Sequence, residues 1–146
     1  MKSFRYAWCG LVRAVKTERN LRIHLAAMYY VFFAGRLFEI EAWAWTAIFV
    51  SCGLVIGAEM LNTALEELCD TVEPGHSPKI GAVKDLVAGA VLVCAIAAAG
   101  VAAAIFMGRE LPEYLFTRPA VWANIAALPV WALFVFFGGS KHVEKP

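Results

Sequence analysis

The sequence predicts an all-α membrane protein, with an N-terminal amphipathic surface helix, three core transmembrane helices and an additional C-terminal transmembrane helix. Two observations lead to this prediction. Hydrophobic residues make up 61% of the 146 positions and charged residues only 17%, against about 25% charged in an ordinary soluble domain. The charges are also absent from long stretches, two of which match the roughly 20 residues that a helix needs to cross a bilayer.

The first 22 residues carry six Lys and Arg and lack the apolar segment of a cleaved signal peptide, so we expect them to stay in the mature protein. Phe4, Trp8, Leu11 and Val15 recur at helical spacing, and the basic residues fall on another face. Such a helix lies in a lipid interface, where anionic lipids attract each Lys or Arg by about 1 kcal/mol. The alternative is an ordinary amphipathic helix that packs on protein.

Four apolar segments are candidates for crossing the membrane. The third and fourth contain no charged residue over 23 and 22 positions, and the second contains none over 17. The first is shorter, and Arg36 at its end can lengthen it by reaching toward the interface. The segments cover residues 23–35, 42–58, 86–108 and 119–140.

The distribution of Lys and Arg predicts the orientation, because short cytoplasmic loops accumulate these residues. With the N-terminus inside, the inner side holds ten of the 13 Lys and Arg and the outer side holds three. This orientation places the Pro- and Gly-containing segment 71–81 in the cytoplasm, and four crossings return the C-terminus there. We therefore expect a multi-pass protein of the cell inner (plasma) membrane.

The second span runs into a stripe of polar residues. Glu59, Asn62, Glu66 and Asp70 follow one another at spacings of three, four and four, which keeps them within roughly an 80° arc of one helix face. An acid inside a membrane span costs about 2.5–3.5 kcal/mol on insertion scales and is a functional candidate. Glu59 lies roughly 16 Å before Asp70 and so within the inner leaflet. For Asp70 and Glu67, a place at a solvated helix end explains the charge as well as a functional role does.

Further polar residues could meet this stripe from the cytoplasmic side: Glu18 at the end of the surface helix, and Lys84 and Asp85 at the start of the third span. Carboxylates at a membrane surface suit Mg²⁺, which usually takes one or two of them plus substrate phosphates. Mg²⁺, a lysine and a separate carboxylate base are components of phosphoryl transfer. No GxxxxGK[ST] motif occurs, which excludes a P-loop, and a net charge of +1 gives no argument for nucleic acid.

The elements SFRYAWCG, TERNLRIHL, GAEMLNTALEELCD and AVKD occur in this order. Over residues 3–107 the sequence resembles the small integral-membrane prokaryotic diacylglycerol kinases, and most closely their undecaprenol kinase branch. The resemblance implies a homotrimer with active sites at the cytoplasmic interface between protomers. It divides the chain into a membrane lipid kinase domain, 1–108, and an extra C-terminal helix with its tail, 109–146, about which it says nothing.

The resemblance also implies roles for single residues. Glu59 falls at the position of the general base, and Glu18 and Glu66 at the carboxylates that bridge the metal to ATP. Asn62 and Asp70 continue the catalytic face. The positions that contact the nucleotide are those of Tyr6, Gly75, His76, Ser77, Lys84 and Asp85. The loop EPGHSPKI departs from the Tyr-His pair that is usual in relatives, and it displaces His76 by one position.

We therefore expect a Mg²⁺-requiring kinase that uses ATP to phosphorylate the hydroxyl group of a membrane lipid, undecaprenol in preference to diacylglycerol. A proton- or cation-coupled transporter could use Glu59 and Asp70 as relay groups, but it leaves Lys84, Asp85 and Glu18 without a task. A non-catalytic helical subunit explains the spans and not the polar stripe. The added helix is expected at the rim of the trimer and dispensable for catalysis.

Overall fold

A computed structural model describes residues 2–75, 77–110 and 117–139 of the chain. Within these ranges the protein is all-helical: α1 (Lys2–Thr17), α2 (Arg19–Leu37), α3 (Ala42–Val72), α4 (Pro78–Phe106) and α5 (Pro119–Phe137). Three of these helices, α3, α4 and α5, are long and apolar enough to cross a membrane. The predictions of an all-α fold and of a membrane protein are confirmed.

The segment of the first predicted span forms part of a helix, α2, but this helix is not among the three that meet the length and hydropathy expected of a span. Its apolar run is interrupted by His24 and bounded by Arg22 and Arg36. A crossing by α2 therefore depends on Arg36, whose long side chain can extend toward the interface.

Short breaks and prolines set the helix boundaries. Glu18, in an extended conformation with φ −98° and ψ 115°, is the single residue between α1 and α2. Pro78 and Pro119 occupy the first turns of α4 and α5, where the fixed φ suits a helix and the missing N–H has no helical partner to lose. Between α2 and α3, Glu39 has a φ of 48° in the left-handed region, and the chain reverses there.

The α3 and α4 helices make the most extensive contact of the fold, and α2 packs against both α3 and α5. A core of Ile40, Ala44, Ile48 and Ile105 lies where α3 begins and α4 ends. There the Arg109 Nη2 donates to Glu41 Oε2 at 2.8 Å. This end of the bundle is opposite to the end of α3 that carries the polar stripe.

The α3 helix contains 31 residues, roughly 46 Å at 1.5 Å per residue. The hydrocarbon layer of a bilayer is only about 30 Å thick. One end of α3 must therefore project beyond the hydrocarbon, and the charged residues place this projection at the C-terminal end. The polar stripe thus passes from the apolar layer into water on one unbroken helix.

The α5 helix packs against α2 through aromatic side chains. The Tyr29 and Tyr30 rings lie 5.1 and 6.4 Å from the Trp131 ring, centroid to centroid. The Tyr29 hydroxyl donates to Asn124 Oδ1 at 2.6 Å. The predicted fourth span therefore forms a helix that is attached to the rest of the chain, whereas Ser140 and the tail lie outside the described residues.

Candidate functional site

The polar stripe of α3 changes in hydration along its length. Glu59 and Asn62 are 3% and 8% exposed, Glu66 is partly buried, and Asp70 is exposed. The Thr63 hydroxyl donates to the Glu59 carbonyl at 3.0 Å, within the same helix. A carboxylate thus lies inside the protein at one end of the stripe, and another meets solvent at the other end.

Glu18 and Asn20 approach the stripe from the start of α2. The carboxylates of Glu18 and Glu66 and the amide of Asn20 are close enough to Glu59 to interact with it electrostatically. The structure therefore brings together the three acids that the sequence singled out, although Glu18 is 41 residues from Glu59 in the chain. Three neighbouring carboxylates repel one another, so the cluster favours a bound cation.

Asn20 is a member of this cluster that the sequence reasoning missed. It is two residues after Glu18 in the motif TERNLRIHL. Its position in that motif could have indicated a role at the site. An exposed asparagine at the start of a helix, however, is ordinarily interpreted as a contribution to capping.

Asn62 offers an oxygen to a ligand. Its Nδ2 donates to Glu66 Oε1 at 2.9 Å, whereas its buried Oδ1 has no hydrogen-bond partner among the described residues. An unsatisfied buried acceptor costs about 1–3 kcal/mol. A cation or a hydroxyl group bound beside α3 would remove that cost.

The donor set can be compared with the needs of Mg²⁺. Within the described residues, no three His, Cys, Asp or Glu side chains converge closely enough to hold a metal by themselves. Mg²⁺ needs fewer protein ligands, because substrate phosphates and water complete its shell. The carboxylates of Glu18 and Glu66 and the free oxygen of Asn62 supply the hard oxygen ligands that it prefers, so these residues fit the ion.

Lys84 is held at the solvent end of the stripe. Its Nζ donates to Asp70 Oδ1 and forms an ion pair that joins α4 to α3. Asp70 therefore positions a cation close to the acids. A second ion pair, Arg13 Nη2 to Glu67 Oε1 at 2.8 Å, joins α1 to the same region of α3. Glu67 thus has a protein partner, and the sequence did not predict it because 54 residues separate the pair.

Within the part of the chain that the structure describes, the other residues predicted to contact the nucleotide share no cluster of contacts. Tyr6 on α1 is 62% exposed, and the Arg5 guanidinium lies 5.5 Å from its ring centroid. Gly75 and Asp85 are exposed, and Ser77 is the partly buried N-cap residue of α4. His76 lies outside the described residues.

An apolar cavity of about 370 Å³ lies between α2, α3 and α4. Val55 and Ile56, one helical turn before Glu59, form part of its wall. The remaining lining is apolar except for His24, Ser51 and Cys52. A cavity of this chemistry accepts a hydrocarbon chain in preference to a polar molecule. The buried carboxylate therefore lies next to a compartment that suits a lipid tail.

Comparisons with known proteins add to this geometry. The model of the family "Prokaryotic diacylglycerol kinase" matches residues 5–106. Undecaprenol kinase from Bacillus subtilis (strain 168) is 38% identical over 108 residues, which cover 74% of this chain and 88% of that protein. Diacylglycerol kinase from Synechocystis sp. is 44% identical over 97 residues, 66% of this chain and 55% of that protein. The chain thus spans about half the length of the Synechocystis relative. No solved structure matches.

The family match covers α1 to α4 almost completely, since it ends at the last residue of α4. The acids Glu18, Glu59, Glu66 and Asp70, together with Lys84 and the apolar cavity, lie inside it. The α5 helix lies outside it.

Proposed function

The chain belongs to the prokaryotic diacylglycerol kinase family and is a lipid kinase, and from this premise we propose that it transfers the γ-phosphoryl group of ATP to the hydroxyl group of undecaprenol. The observation that carries this proposal is the cluster of Glu18, Glu59 and Glu66 next to an apolar cavity. A buried carboxylate beside a compartment for hydrocarbon suits a substrate whose tail stays in the membrane while its hydroxyl reacts.

We assign the proton transfer to Glu59. As the hydroxyl oxygen of the lipid forms its bond to the γ-phosphorus and the bond from that phosphorus to the bridging oxygen of ADP breaks, the Glu59 carboxylate accepts the hydroxyl proton. The burial of Glu59 excludes bulk water, which would otherwise compete with the lipid for the phosphoryl group. The Thr63 hydroxyl donates to the Glu59 backbone carbonyl, which fixes the backbone of this residue on α3.

We assign Mg²⁺ to Glu18 and Glu66, with the free oxygen of Asn62 beside them. When bound, the ion would neutralise charge on the phosphates of ATP. Lys84, held by Asp70, adds a positive charge near the transferred group. We propose that the nucleotide contacts Tyr6, Gly75, His76, Ser77 and Asp85. The exposure of Tyr6, Gly75 and Asp85 to solvent supports this proposal for those three residues.

The membrane arrangement is part of the proposal. We place α1 on the cytoplasmic surface of the inner membrane and let α2, α3, α4 and α5 cross it, which leaves the polar end of α3 in the cytoplasm. Many large apolar side chains of α3 and α4 are exposed on the single chain. Lipid or neighbouring protomers must cover such a surface; the proposal of a homotrimer rests on the resemblance to the family.

Our choice of undecaprenol as the substrate rests on how much of each named relative this chain matches. The protein named undecaprenol kinase is matched over 88% of its length, whereas the one named diacylglycerol kinase has the higher identity but is matched over only 55%. Diacylglycerol, whose phosphorylation yields phosphatidic acid, is therefore the second candidate. Both lipids present a hydroxyl group to the same acids, so the apolar lining must distinguish them.

The test is a comparison of the two lipids in the same vesicles with the full chain and Mg-ATP. We expect undecaprenol to be phosphorylated at least tenfold more efficiently by kcat/KM, a difference of about 1.4 kcal/mol in transition-state free energy. Equal or reversed efficiencies would overturn the assignment to undecaprenol and leave diacylglycerol. Absence of a phosphorylated lipid would overturn both.

A further inference from the structure

Arg22, in the first turns of α2, is a buried cation with an unusual set of partners. It is only 3% exposed. Its Nη1 donates to the carbonyl oxygens of Val15 at 3.0 Å and Lys16 at 3.2 Å, and its Nε donates to that of Val135 at 3.2 Å. Its described hydrogen-bond partners are thus backbone carbonyls and include no carboxylate.

These carbonyls belong to the last turns of two helices. Val15 and Lys16 lie in the last turn of α1, and Val135 lies in the last turn of α5. The last four carbonyls of a helix have no partner within it. Each helix C-terminus also carries about half a negative charge from the aligned peptide dipoles. The partial negative charges of two such helix ends together balance the positive charge of one guanidinium. This explains how Arg22 can be buried without a carboxylate partner.

Two further contacts join α5 to the same place. A Cβ atom on Gly139 would lie 3.0 Å from Arg22 Nη2 and 3.1 Å from the Lys16 carbonyl oxygen, so the backbone after α5 approaches this junction as closely as glycine allows. The Arg19 guanidinium lies 5.3 Å from the centroid of the Phe136 ring, a cation–π distance. We call Arg19, Arg22, Val135, Phe136 and Gly139 the α5 clamp.

Two residues of the clamp, Arg19 and Arg22, follow Glu18 closely in the chain. Glu18 is the extended link between α1 and α2, its N–H donates to the Ala14 carbonyl at 2.8 Å, and its own carbonyl accepts from Arg22 N–H at 3.4 Å. Arg19 follows Glu18 directly, and Arg22 lies one turn further on. A shift of α1 relative to α2 would move the Glu18 carboxylate away from the acids on α3.

We infer that the α5 clamp positions Glu18, so that the fifth helix, which lies outside the region matched by the family, sets the affinity of the kinase site for its metal. The inference builds on the proposed function, in which Glu18 and Glu66 hold Mg²⁺. It replaces the expectation that α5 is dispensable for catalysis. Arg22, Arg19 and Phe136 are positioning residues: they act on the metal through Glu18.

The experiment uses the full chain in detergent micelles with the substitutions Gly139→Val and Phe136→Ala. Phe137→Ala is the matched control, because Phe137 is the next residue of α5 and is 79% exposed. Mn²⁺ replaces Mg²⁺ as the probe, and its binding with ATP is measured by electron paramagnetic resonance without lipid. Hydrogen exchange of the amides in residues 14–22 is measured on the metal-free protein.

We expect Gly139→Val and Phe136→Ala to weaken Mn²⁺ binding at least fivefold and to speed exchange at the junction, while Phe137→Ala resembles the unmodified chain. If Gly139→Val does not fold, Phe136→Ala still decides the matter, since it only truncates a partly exposed ring. Unchanged affinity and exchange in the folded variants would overturn the inference, as would an equal loss in Phe137→Ala.

The binding assay separates this inference from the proposed function. If the unmodified chain binds Mn²⁺ with ATP but phosphorylates no lipid, the proposed function fails while the clamp is still tested by the variants. If the unmodified chain binds no Mn²⁺ in the presence of ATP, the metal role of Glu18 fails and the clamp loses its assigned effect.

Discussion

Glu59→Gln tests the proposed chemistry most directly. The substitution keeps the shape of a side chain that is 3% exposed and removes its capacity to accept a proton. A positioned general base contributes about 10²- to 10⁴-fold to the rate, so we expect kcat to fall by at least 10², equivalent to about 2.7 kcal/mol in the activation free energy. Folding should not suffer, because one of three mutually repelling carboxylates becomes neutral.

The assay is the initial rate of lipid phosphorylation in vesicles, together with nucleotide binding in the absence of lipid. Nucleotide binding should stay within about threefold of the unmodified chain. Glu67→Gln is the matched control on the same helix: Glu67 pairs with Arg13 and its side chain is 52% exposed, and such ion pairs contribute about 0–1 kcal/mol. A Glu59→Gln variant that keeps more than about a tenth of the activity would remove Glu59 from the role of base.

Two further predictions concern the metal ligands and the core. Glu66→Gln should raise the Mg²⁺ concentration for half-maximal activity several-fold and lower kcat, since a neutral amide replaces the carboxylate that we propose as a metal ligand, while its oxygen can still accept from the Asn62 amide. An unchanged Mg²⁺ titration would contradict the assignment. Gly35→Ala should lower the unfolding free energy by about 1–3 kcal/mol through overpacking, because its Cβ would lie 2.8 Å from the Trp45 ring. Gly53→Ala, with open space around it, should not lower thermal stability in detergent, and equal melting of the two variants would refute the packing argument.

Much of the fold follows from where charges are absent. The gaps at 42–58, 86–108 and 119–140 mark α3, α4 and α5, because a helix in lipid cannot leave charged groups unpaired. The continuation of α3 through Asp70 follows from the regular spacing of its polar residues, which one helix face satisfies. The α2 helix was harder to classify, since His24 and the two arginines at its ends divide a short apolar run.

The site is predictable only where its members share an element. Glu59, Asn62 and Glu66 lie on one helix, and their spacing alone puts them on one face. Glu18 was a candidate from its place at the end of the surface helix, but its role as a metal ligand required the resemblance to a family, because its distance along the chain does not reveal its position in space. The partners of Arg22 could not be predicted at all: they are backbone carbonyls, and every residue has one.

The length of α3 has a consequence for the bilayer in which the protein works. Glu59, the proposed base, and the apolar surface that fixes the protein in the membrane belong to one rigid rod of 31 residues. A bilayer with longer acyl chains holds that rod at a different height or tilt, to match its apolar belt. The depth of Glu59 below the headgroups then changes while the hydroxyl group of the lipid stays with its own interface. Membrane thickness should therefore affect the rate of phosphoryl transfer. A series of vesicles whose lipids differ in acyl-chain length should show an optimum in that rate.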